Sequence, residues 1–380
     1  MTAEDAARTW ETSNIREVAG LFLKLGFIAF GGPAAHISLM RQEIVQRRKW
    51  LDEQAFLDLI GAANLIPGPT STELAIYLGY TRAGPIGLVL AGLLFILPAM
   101  LLVLAFAWAY VQYGSLPQAG ALLYGIKPVI VAVIVQAIYG LVRTAVKTPL
   151  LGAVVVLSIA LYFFGANPLV ALLGLALIVA LITNKQRLHA VVLAAQVATA
   201  SGLATFSLGV LFFTFLKIGA TLYGSGYVLL AFLHDDFVVR LGWLTDQQLL
   251  DAVAVGQFTP GPVFTTATFI GYVLGGVPGA LVATVAIFLP SFLFVAAVYP
   301  LLPRLRSSPW TRAFLDGTNA AAVGLMAAVA WQLGTSSIID PLTLVLFGAT
   351  VVLLIRMRIN SAWLVLVGGL IGLASASIPR

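Results

Sequence analysis

Pro-Gly-Pro occurs twice inside apolar segments of this sequence, each time just before hydroxyl side chains. Proline inside a helix costs about 3 kcal/mol, because a hydrogen bond is lost and the ring clashes with the preceding turn. We therefore expect one helix to end and another to begin at each tripeptide. The unpaired N–H groups and positive dipole end of a helix start, together with hydroxyl groups, could bind an oxyanion. The candidate substrate-binding residues are Pro67, Gly68, Pro69, Thr70, Ser71 and Thr72 at the first tripeptide and Pro260, Gly261, Pro262, Thr265 and Thr266 at the second.

An alternative for each tripeptide is a simple kink in a packed helix, as we expect at Pro98 and Pro290. The short flanking segments and the hydroxyl residues favour the binding interpretation. Helix breaks at matching positions of two halves are also the best sequence indication of a transporter's substrate site. The two tripeptides thus predict a site for a small anion.

Two lysines and several glycines extend this candidate substrate-binding site. Lys24 and Lys217 lie in apolar segments. A charge inside a membrane costs free energy, so such a residue is by default a candidate for a functional role. We expect both to attract an anion, and snorkelling to the membrane interface is the alternative for Lys24. Glycine breaks that follow the lysines could let the backbone approach a ligand, or let helices pack closely. The candidate glycines are Gly31, Gly32, Gly224 and Gly226.

Three carboxylates are candidates for proton coupling. Glu73 follows the first tripeptide, whereas Thr266 occupies the matching position of the second half. Protonation of Glu73 would remove its repulsion for an anion and so link two gradients. Asp58 and Asp251 each lie nine residues before a tripeptide. They could carry protons, pair with the lysines or face the lipid headgroups. For His36, a polar contact in the loop is favoured over titration.

The elements that position these residues are membrane helices. Of the 380 residues 60% are hydrophobic and 9% are charged, whereas about 25% are charged in an ordinary soluble protein. Apolar segments reach the roughly 20 residues that a membrane-spanning helix needs, and no strand pattern appears. The net charge is +6, and the basic residues cluster in short loops, as the positive-inside rule expects. The lipid bilayer is therefore a predicted partner, and nucleic acid is not.

Composition also argues against an enzyme. With no cysteine and three histidines, a thiolate metal site is excluded and a histidine-rich one is implausible, so no metal or other cofactor is expected. No nucleotide-binding loop and no plausible catalytic triad occur. ATP-driven transport would need a separate nucleotide-binding partner.

The chain is a duplication, which appears when the sequence is shifted against itself by 193 positions. Residues 22–78 then match 215–271 without a gap, and 16 of the 57 pairs are identical. After one deleted residue, Pro98 matches Pro290. The predicted units are a cytoplasmic N-terminal tail (1–15), a first repeat (16–187), a linker that crosses the membrane once (188–205) and a second repeat (206–380).

Loop charges predict that the two repeats have inverted topology. Basic residues of the first half, such as Arg47 and Lys147, belong to clusters that match weakly charged or acidic segments. Basic residues of the second half, such as Arg304 and Arg356, match uncharged segments of the first. Because basic loops stay in the cytoplasm, matching loops lie on opposite sides.

The fold class predicted is an all-α polytopic membrane protein, with two inverted-topology repeats whose broken or re-entrant half-helices meet near the bilayer midplane. About 14 residues separate Glu53 from Pro67, and at 1.5 Å per residue such a helix is about 21 Å long, too short to cross. Half-helices are therefore predicted at 53–66 and 70–80 and, as a similar hairpin, at 18–30 and 34–47. Four crossings follow at roughly 84–111, 120–144, 149–164 and 167–183.

The sequence resembles the chromate ion transporter family in its long form with two homologous domains. The resemblance rests on "FLKLGFIAFGGPAAH", "RRKWLDEQAFLDLIGAANLIPGPTSTELAIYLGYTRAG" and "GLLFILPAM" in the first half, and on "FTPGPVFTTATFIGYVLGGVPGALVATVAIFLPSF" in the second. It covers nearly the whole chain. One departure is Glu73, where we expect glutamine in the family.

The resemblance implies a bacterial inner-membrane carrier that exports chromate, driven by the proton-motive force, with sulfate as a structural analogue. The residues alone indicate only a small anion. Two alternatives remain. The protein is a carrier for sulfate, molybdate or an organic anion, or it is an anion channel in which the same helix starts form a conduction filter. A homodimer is also left open.

Overall fold

All regular structure in the described part of the chain is helical, in agreement with the predicted all-α class. The structure is a computed structural model. The predicted tail up to residue 11, the linker up to residue 204, and Gly31, Gly224 and Gly226 lie outside the described residues. The structure describes residues 12–30, 32–114, 116–184, 205–223, 228–299, 309–357, 359 and 361–376.

Helices of the first half recur in the second in the same order. In the first half they are α1 (Thr12–Ile28), α2 (Gly32–Arg41), a π-helical turn (Gln42–Arg47), α3 (Glu53–Ala63), α4 (Thr70–Tyr113), α5 (Pro117–Ala145), α6 (Pro149–Phe163) and α7 (Pro168–Thr183). In the second half they are α8 (Leu208–Thr221), α9 (Leu229–Leu233), a π-helical turn (His234–Arg240), α10 (Asp246–Phe258), a 3-10 turn (Val263–Thr265), α11 (Thr266–Val298), α12 (Pro309–Ser337), α13 (Pro341–Met357) and α14 (Ser361–Ala376).

Local signals explain where the half-helices begin. Asp52 caps α3, where its side chain accepts a hydrogen bond from the Ala55 amide. Thr245, at the matching position, caps α10 and forms a capping box with Gln248. Such caps satisfy amides that a helix start leaves unpaired. The start of α3 and the start of α10 are therefore encoded in the sequence of each repeat.

Helices α4 and α11 each reverse direction at one matching pair of residues. In α4 the reversal lies at Ala83 and Gly84, and Gly84 adopts φ 59° and ψ −150°. In α11 it lies at Gly275 and Gly276, with φ 60° and ψ −153° at Gly276. These positive φ values favour glycine. The predicted half-helix at 70–80 and the predicted crossing at 84–111 are thus the two arms of α4.

Close helix contact keeps the two arms of α4 side by side. A Cβ at Gly79 would overlap the carbonyl oxygen of Gly87, and a Cβ at Gly271 would overlap that of Gly279. In α11, the hydroxyl groups of Thr268 and Thr284 lie 2.7 Å apart. Since contacting residues flank the reversal symmetrically, the short arm runs antiparallel to the long arm.

The protein is a multi-pass membrane protein. Among the described residues, four helical segments are long and apolar enough to span a bilayer: Thr70–Tyr113, Pro117–Ala145, Val263–Val298 and Pro309–Ser337. Helices α6 and α7 agree within one residue with the predicted crossings at 149–164 and 167–183. At 1.5 Å per residue they extend about 22 to 24 Å, less than the roughly 30 Å of the hydrocarbon core. That each of them crosses the membrane stays a prediction.

Helices of the two halves interlock rather than forming separate bodies. Helix α5 packs on α13 and α14, α12 packs on α6 and α7, and α4 packs on α11. Gly125 of α5 contacts Gly368 of α14 so closely that a Cβ would overlap backbone. At the matching positions, a Cβ at Gly317 of α12 would lie 2.9 Å from the Cα of Ala176 in α7. Each half therefore completes the helix packing of the other.

Candidate functional site

The first Pro-Gly-Pro forms a buried loop between α3 and α4. Helix α3 ends at Ala63, and α4 begins at Thr70 after Pro69, whose φ is −77° and ψ 98°. Pro67, Gly68 and Pro69 are all buried. This break is the helix interruption that the tripeptide predicts. We call the loop 67–69 with residues 70–73 the first tip.

The second Pro-Gly-Pro forms the matching loop between α10 and α11. Helix α10 ends at Phe258, and a 3-10 turn at Val263–Thr265 precedes α11. Gly261 is buried and has a φ of 87°. We call the loop 260–262 with residues 263–266 the second tip.

Each tip is held by a hydrogen bond to the other half of the chain. The Gly68 amide donates to the Leu222 carbonyl at 2.7 Å, and the Gly261 amide donates to the Ala29 carbonyl at 2.8 Å. Ala29 and Leu222 match in the duplication and follow the ends of α1 and α8. Both glycine amides thus have protein acceptors in this conformation, and each tip lies against the opposite repeat.

Unpaired buried polar groups surround the start of α4. The Ser71 hydroxyl lies 3.1 Å from Nδ1 of His36, and both residues are buried. The other ring nitrogen of His36 and the Thr72 hydroxyl have no hydrogen-bond partner among the described residues. Burying a polar group without a partner is unfavourable. The first tip therefore offers free polar groups next to a helix start.

Threonines of the second tip are satisfied by their own backbone. The Thr265 hydroxyl donates to the Pro262 carbonyl at 2.9 Å, and the Thr266 hydroxyl donates to the Val263 carbonyl at 2.8 Å. Thr265 matches Thr72 in the duplication, although the Thr72 hydroxyl makes no such bond. The two tips share a backbone design but differ in the donors they present.

Glu73 lies at the junction of the first tip with the second repeat. Its side chain is fully buried, and one oxygen accepts a hydrogen bond from the Ser291 hydroxyl at 3.4 Å. The other oxygen has no partner among the described residues, and neither has the buried Tyr77 hydroxyl. A Cβ at Gly68 would overlap Glu73 and lie 2.6 Å from Ser291 Oγ. The carboxyl group therefore touches both the tip loop and α11.

Lys24 is neutralised by a carboxylate. Its ammonium group lies 2.8 Å from Glu43, which also accepts from Arg47 at 2.9 Å and from Arg48. Burial raises the pKa of Glu43, but hydrogen bonds from Lys24 and Arg48 lower it more, so the pKa lies below its ordinary value. Glu43 belongs to the π-helical turn, outside the spanning segments. This cluster ties α1 to the turn after α2.

The same cluster recurs in the second half. Lys217 lies 2.5 Å from Asp236, and Arg240 lies 2.9 Å from the same oxygen. Asp236 matches Glu43, and Arg240 matches Arg47. We call these two groups the lysine clamps. Both predicted anion-attracting lysines are thus engaged by protein carboxylates, and their predicted role toward an anion stays a prediction.

The two aspartates that precede the tripeptides differ in environment. Asp58 of α3 is half-buried and accepts a hydrogen bond from Gln54 at 3.1 Å. Asp251 of α10 is buried, lies 3.3 Å from Lys127 and accepts from the Tyr110 hydroxyl at 3.0 Å. Pairing with Lys24 or Lys217, considered from the sequence, is not seen for Asp251, which lies beside Lys127 instead.

Comparison with known proteins places this arrangement in a family. A family sequence profile described as "Chromate transporter" matches residues 16–181 and 209–373. The chain belongs to the chromate transporter family. The predicted resemblance is thus confirmed over both halves.

Named relatives span almost the same length. A chromate transport protein of Cupriavidus metallidurans is 34% identical over 98% of this chain and 96% of its own length. A probable chromate transport protein of Synechococcus elongatus is 35% identical over 86% of each chain. A chromate transport protein of Pseudomonas aeruginosa is 32% identical over 92% of this chain and 90% of its own length. No solved structure matches.

Several residues of the candidate site were not predicted from the sequence. Glu43 and Asp236 match in the duplication just as the lysines do, so a search for matched charges would have found them. Lys127 is a lone charge in an apolar segment, which is a signal by itself. Ser291 gave no signal, because only the fold brings it to Glu73. Gly32, a predicted site residue, begins α2 with a φ of 78°.

Proposed function

We propose that this protein is a secondary active transporter that exports chromate across the bacterial inner membrane, driven by the proton-motive force. Membership of the chromate transporter family and three relatives named as chromate transport proteins support chromate as the substrate. The helical architecture supports a carrier rather than an enzyme. The sequence has no nucleotide-binding loop, which argues against an ATP-driven pump.

The single observation that carries the proposal is the first tip. A helix that starts inside the protein directs unpaired amides and its positive dipole end at the space before it. The buried Thr72 hydroxyl and the Nε2 atom of His36 lie at this start without hydrogen-bond partners among the described residues. A tetrahedral oxyanion accepts several hydrogen bonds at once and needs no fully charged partner there. The first tip is therefore the proposed chromate site, with Ser71 as a further hydroxyl.

The second tip completes the proposed site from the other half. Its helix start presents the same dipole, and a small cavity lies beside it. The cavity is lined by Ile134, Leu229, Leu230, Leu233, Val253, Gln257, Val263 and Thr266. Movement of one tip relative to the other would change which side of the membrane reaches the anion.

Inverted orientation of the two repeats is part of this proposal. Helices α5 and α12 match in the duplication and pack against each other. Near the start of α5, Tyr124 donates to Asp340, which follows the end of α12. After the end of α5, Lys147 pairs with Asp316 near the start of α12. Matching helices that run antiparallel support opposite orientation, and the basic loops then favour a cytoplasmic N-terminus.

Glu73 is the proposed coupling group, and its charge favours one sign of coupling. An ionised Glu73 repels an anion at the first tip, whereas a protonated Glu73 does not. Proton and anion therefore bind best together, which is the sign of symport. Export driven by an inward proton gradient requires the opposite sign. Proton-coupled uptake of a sulfate-like oxyanion is accordingly the second candidate function.

Transport assays test these proposals. They use right-side-out and everted membrane vesicles that contain the full-length protein, with radiolabelled chromate or sulfate added outside. Export predicts that everted vesicles accumulate chromate and that a protonophore abolishes accumulation. Symport predicts that only right-side-out vesicles accumulate the anion. In Glu73→Gln, downhill flux should persist without dependence on the proton gradient, whereas Glu53→Gln, an exposed control that pairs with Arg41, should behave as wild type. Absence of accumulation in both orientations would refute a coupled carrier, and conductive flux alone would indicate a channel.

A further inference from the structure

Lys127 places a positive charge inside a membrane-spanning helix. It lies ten residues after Pro117 in α5, a span of apolar composition. Only 16% of its side chain is exposed. An ionisable residue at such a place is expensive and is a functional hypothesis by default. Neither the lysine clamps nor the first tip contains this residue.

The neighbours of Lys127 form a loosely closed polar group. Its ammonium group donates to the Gln247 side-chain oxygen at 2.5 Å and lies 3.3 Å from Asp251 Oδ1. That oxygen receives no well-directed hydrogen bond from the described residues, while the other accepts from Tyr110. The lysine and the aspartate are thus held mainly by electrostatic attraction. An incoming anion could replace Asp251 as the counter-ion of Lys127.

The Lys127 group differs from the lysine clamps, because the clamps occur in both repeats and this group does not. Both lysine clamps occur in matching positions of the two halves. Lys127 of the first repeat, in contrast, matches Asn319 of the second, and Asp251 matches Asp58, so the matching positions hold no second lysine–aspartate pair. Since each repeat forms the same helices with or without this pair, the repeat fold does not require it. A partly buried cation without a counterpart in the other repeat is better explained by a role in the transported anion's path.

The position of Lys127 connects it with the second tip. Ile134 lies seven residues further along α5, on the same helix face, and lines the small cavity. Val253 and Gln257 of α10 line the same cavity, together with Thr266 of the second tip. The seam between α5 and α10 therefore leads from Lys127 to the second tip.

We propose that Lys127 forms a second oxyanion subsite on the seam between α5 and α10, next to the transport site. An oxyanion of the chromate or sulfate class displaces Asp251 from the ammonium group and receives a hydrogen bond from Tyr110. Asp251 competes with the anion, which keeps binding weak enough for onward movement. The inference rests on the proposed function, because it supplies that site with its anion.

Equilibrium dialysis of the purified full-length protein against radiolabelled chromate or sulfate tests the subsite. Lys127→Gln should raise the Kd of the Lys127 subsite by about tenfold or more, since a partly buried charge is lost, while anion binding at the first tip is retained. Lys127→Arg should bind within about threefold of wild type, because it keeps the charge. Asp251→Asn should bind more tightly than wild type, because the competing carboxylate is gone. Lys147→Gln removes an exposed lysine that pairs with Asp316 and serves as the matched control, with an unchanged Kd.

The double variant Lys127→Gln/Asp251→Asn separates binding from folding. It removes both charges together, so neither is left unpaired in the protein interior. The subsite predicts that the double variant folds and binds as weakly as Lys127→Gln. Wild-type affinity in the double variant would show that Lys127 only neutralises Asp251, and would overturn the inference alone. If wild-type protein binds neither anion, the proposed function fails and the inference with it.

Discussion

Glycine is the only residue that fits at the centre of each tip. Gly68 has a φ of 137° and Gly261 a φ of 87°, which side chains with a Cβ rarely adopt. A Cβ at Gly68 would overlap Glu73, and a Cβ at Gly261 would lie 2.8 Å from that of Ala99. Both glycines contact the opposite repeat. Backbone strain at either position would therefore disturb the junction between the halves.

We expect Gly68→Ala and Gly261→Ala each to lower the free energy of unfolding by roughly 2–4 kcal/mol, because strain in φ and overlap add. Gly140→Ala is the control, since α5 leaves open space around Gly140. Thermal unfolding of the purified variants in detergent measures the effect. Wild-type stability of both tip variants would show that the tips are not packed as described.

At the residue scale, some features of the tips can be predicted from the sequence and others cannot. Pro-Gly-Pro predicts the helix break because proline lacks the amide hydrogen that a helix interior needs and its ring clashes with the preceding turn. The different partners of Thr72 and Thr265 could not be predicted, since the duplication aligns them as identical residues. Which acceptor a hydroxyl finds depends on the fold around it. The proposed binding role of these residues stays a prediction.

Among the elements, the lysine clamps hold the first helix of each half to a π-helical turn. Lys24 and Glu43 are 19 residues apart, and so are Lys217 and Asp236. The sequence showed the two lysines in matching positions and suggested an anion. Their carboxylate partners were not predicted, because this pairing depends on how α1 and the π-helical turn after α2 come together in the fold. The clamps therefore explain the matched lysines without a ligand.

We expect Glu43→Gln to lower the free energy of unfolding at pH 7 by roughly 1–3 kcal/mol, since charge-assisted hydrogen bonds from three basic residues are lost. The pKa of Glu43 is depressed in the folded state, so its contribution is complete above the ordinary value of about 4.5 and disappears as pH falls through the lower folded value.

Unfolding temperatures of wild type and Glu43→Gln between pH 3 and 7 test this dependence. The difference between the two proteins should shrink below about pH 4.5. Glu53→Gln, which removes an exposed carboxylate paired with Arg41, controls for general acid effects and should lower stability by less than about 1 kcal/mol. A pH-independent difference would contradict the depressed pKa of Glu43.

Helix breaks were easier to predict than helix partners. The reversal of α4 follows from short apolar segments and from glycine, so its two arms match the predicted bounds closely. Pro98 and Pro290, in contrast, lie within helices, as predicted for simple kinks. The antiparallel contact of the arms was not predicted, because Gly79 and Gly87 give no signal beyond close packing.

For the whole molecule, the interlocked halves form one body. Helices α5 and α12 each pack on helices of the opposite repeat, and each tip is hydrogen-bonded to the opposite repeat as well. The duplication and the loop charges predict two related halves of inverted topology. They could not predict this exchange of partners, because local periodicity shows that a helix has a packing face but not which helix covers it.

Opposite orientation of the halves is the claim on which the shared anion site depends. Lys147 and Ile339 occupy matching loops, and both side chains are more than half exposed. The sequence has no cysteine, so single cysteines introduced there report without background. Labelling of Lys147→Cys and Ile339→Cys by a membrane-impermeant maleimide, in intact cells and in everted vesicles, is the most direct measurement. The account predicts that Lys147→Cys reacts only in everted vesicles and Ile339→Cys only in intact cells, and labelling of both from the same side would contradict it.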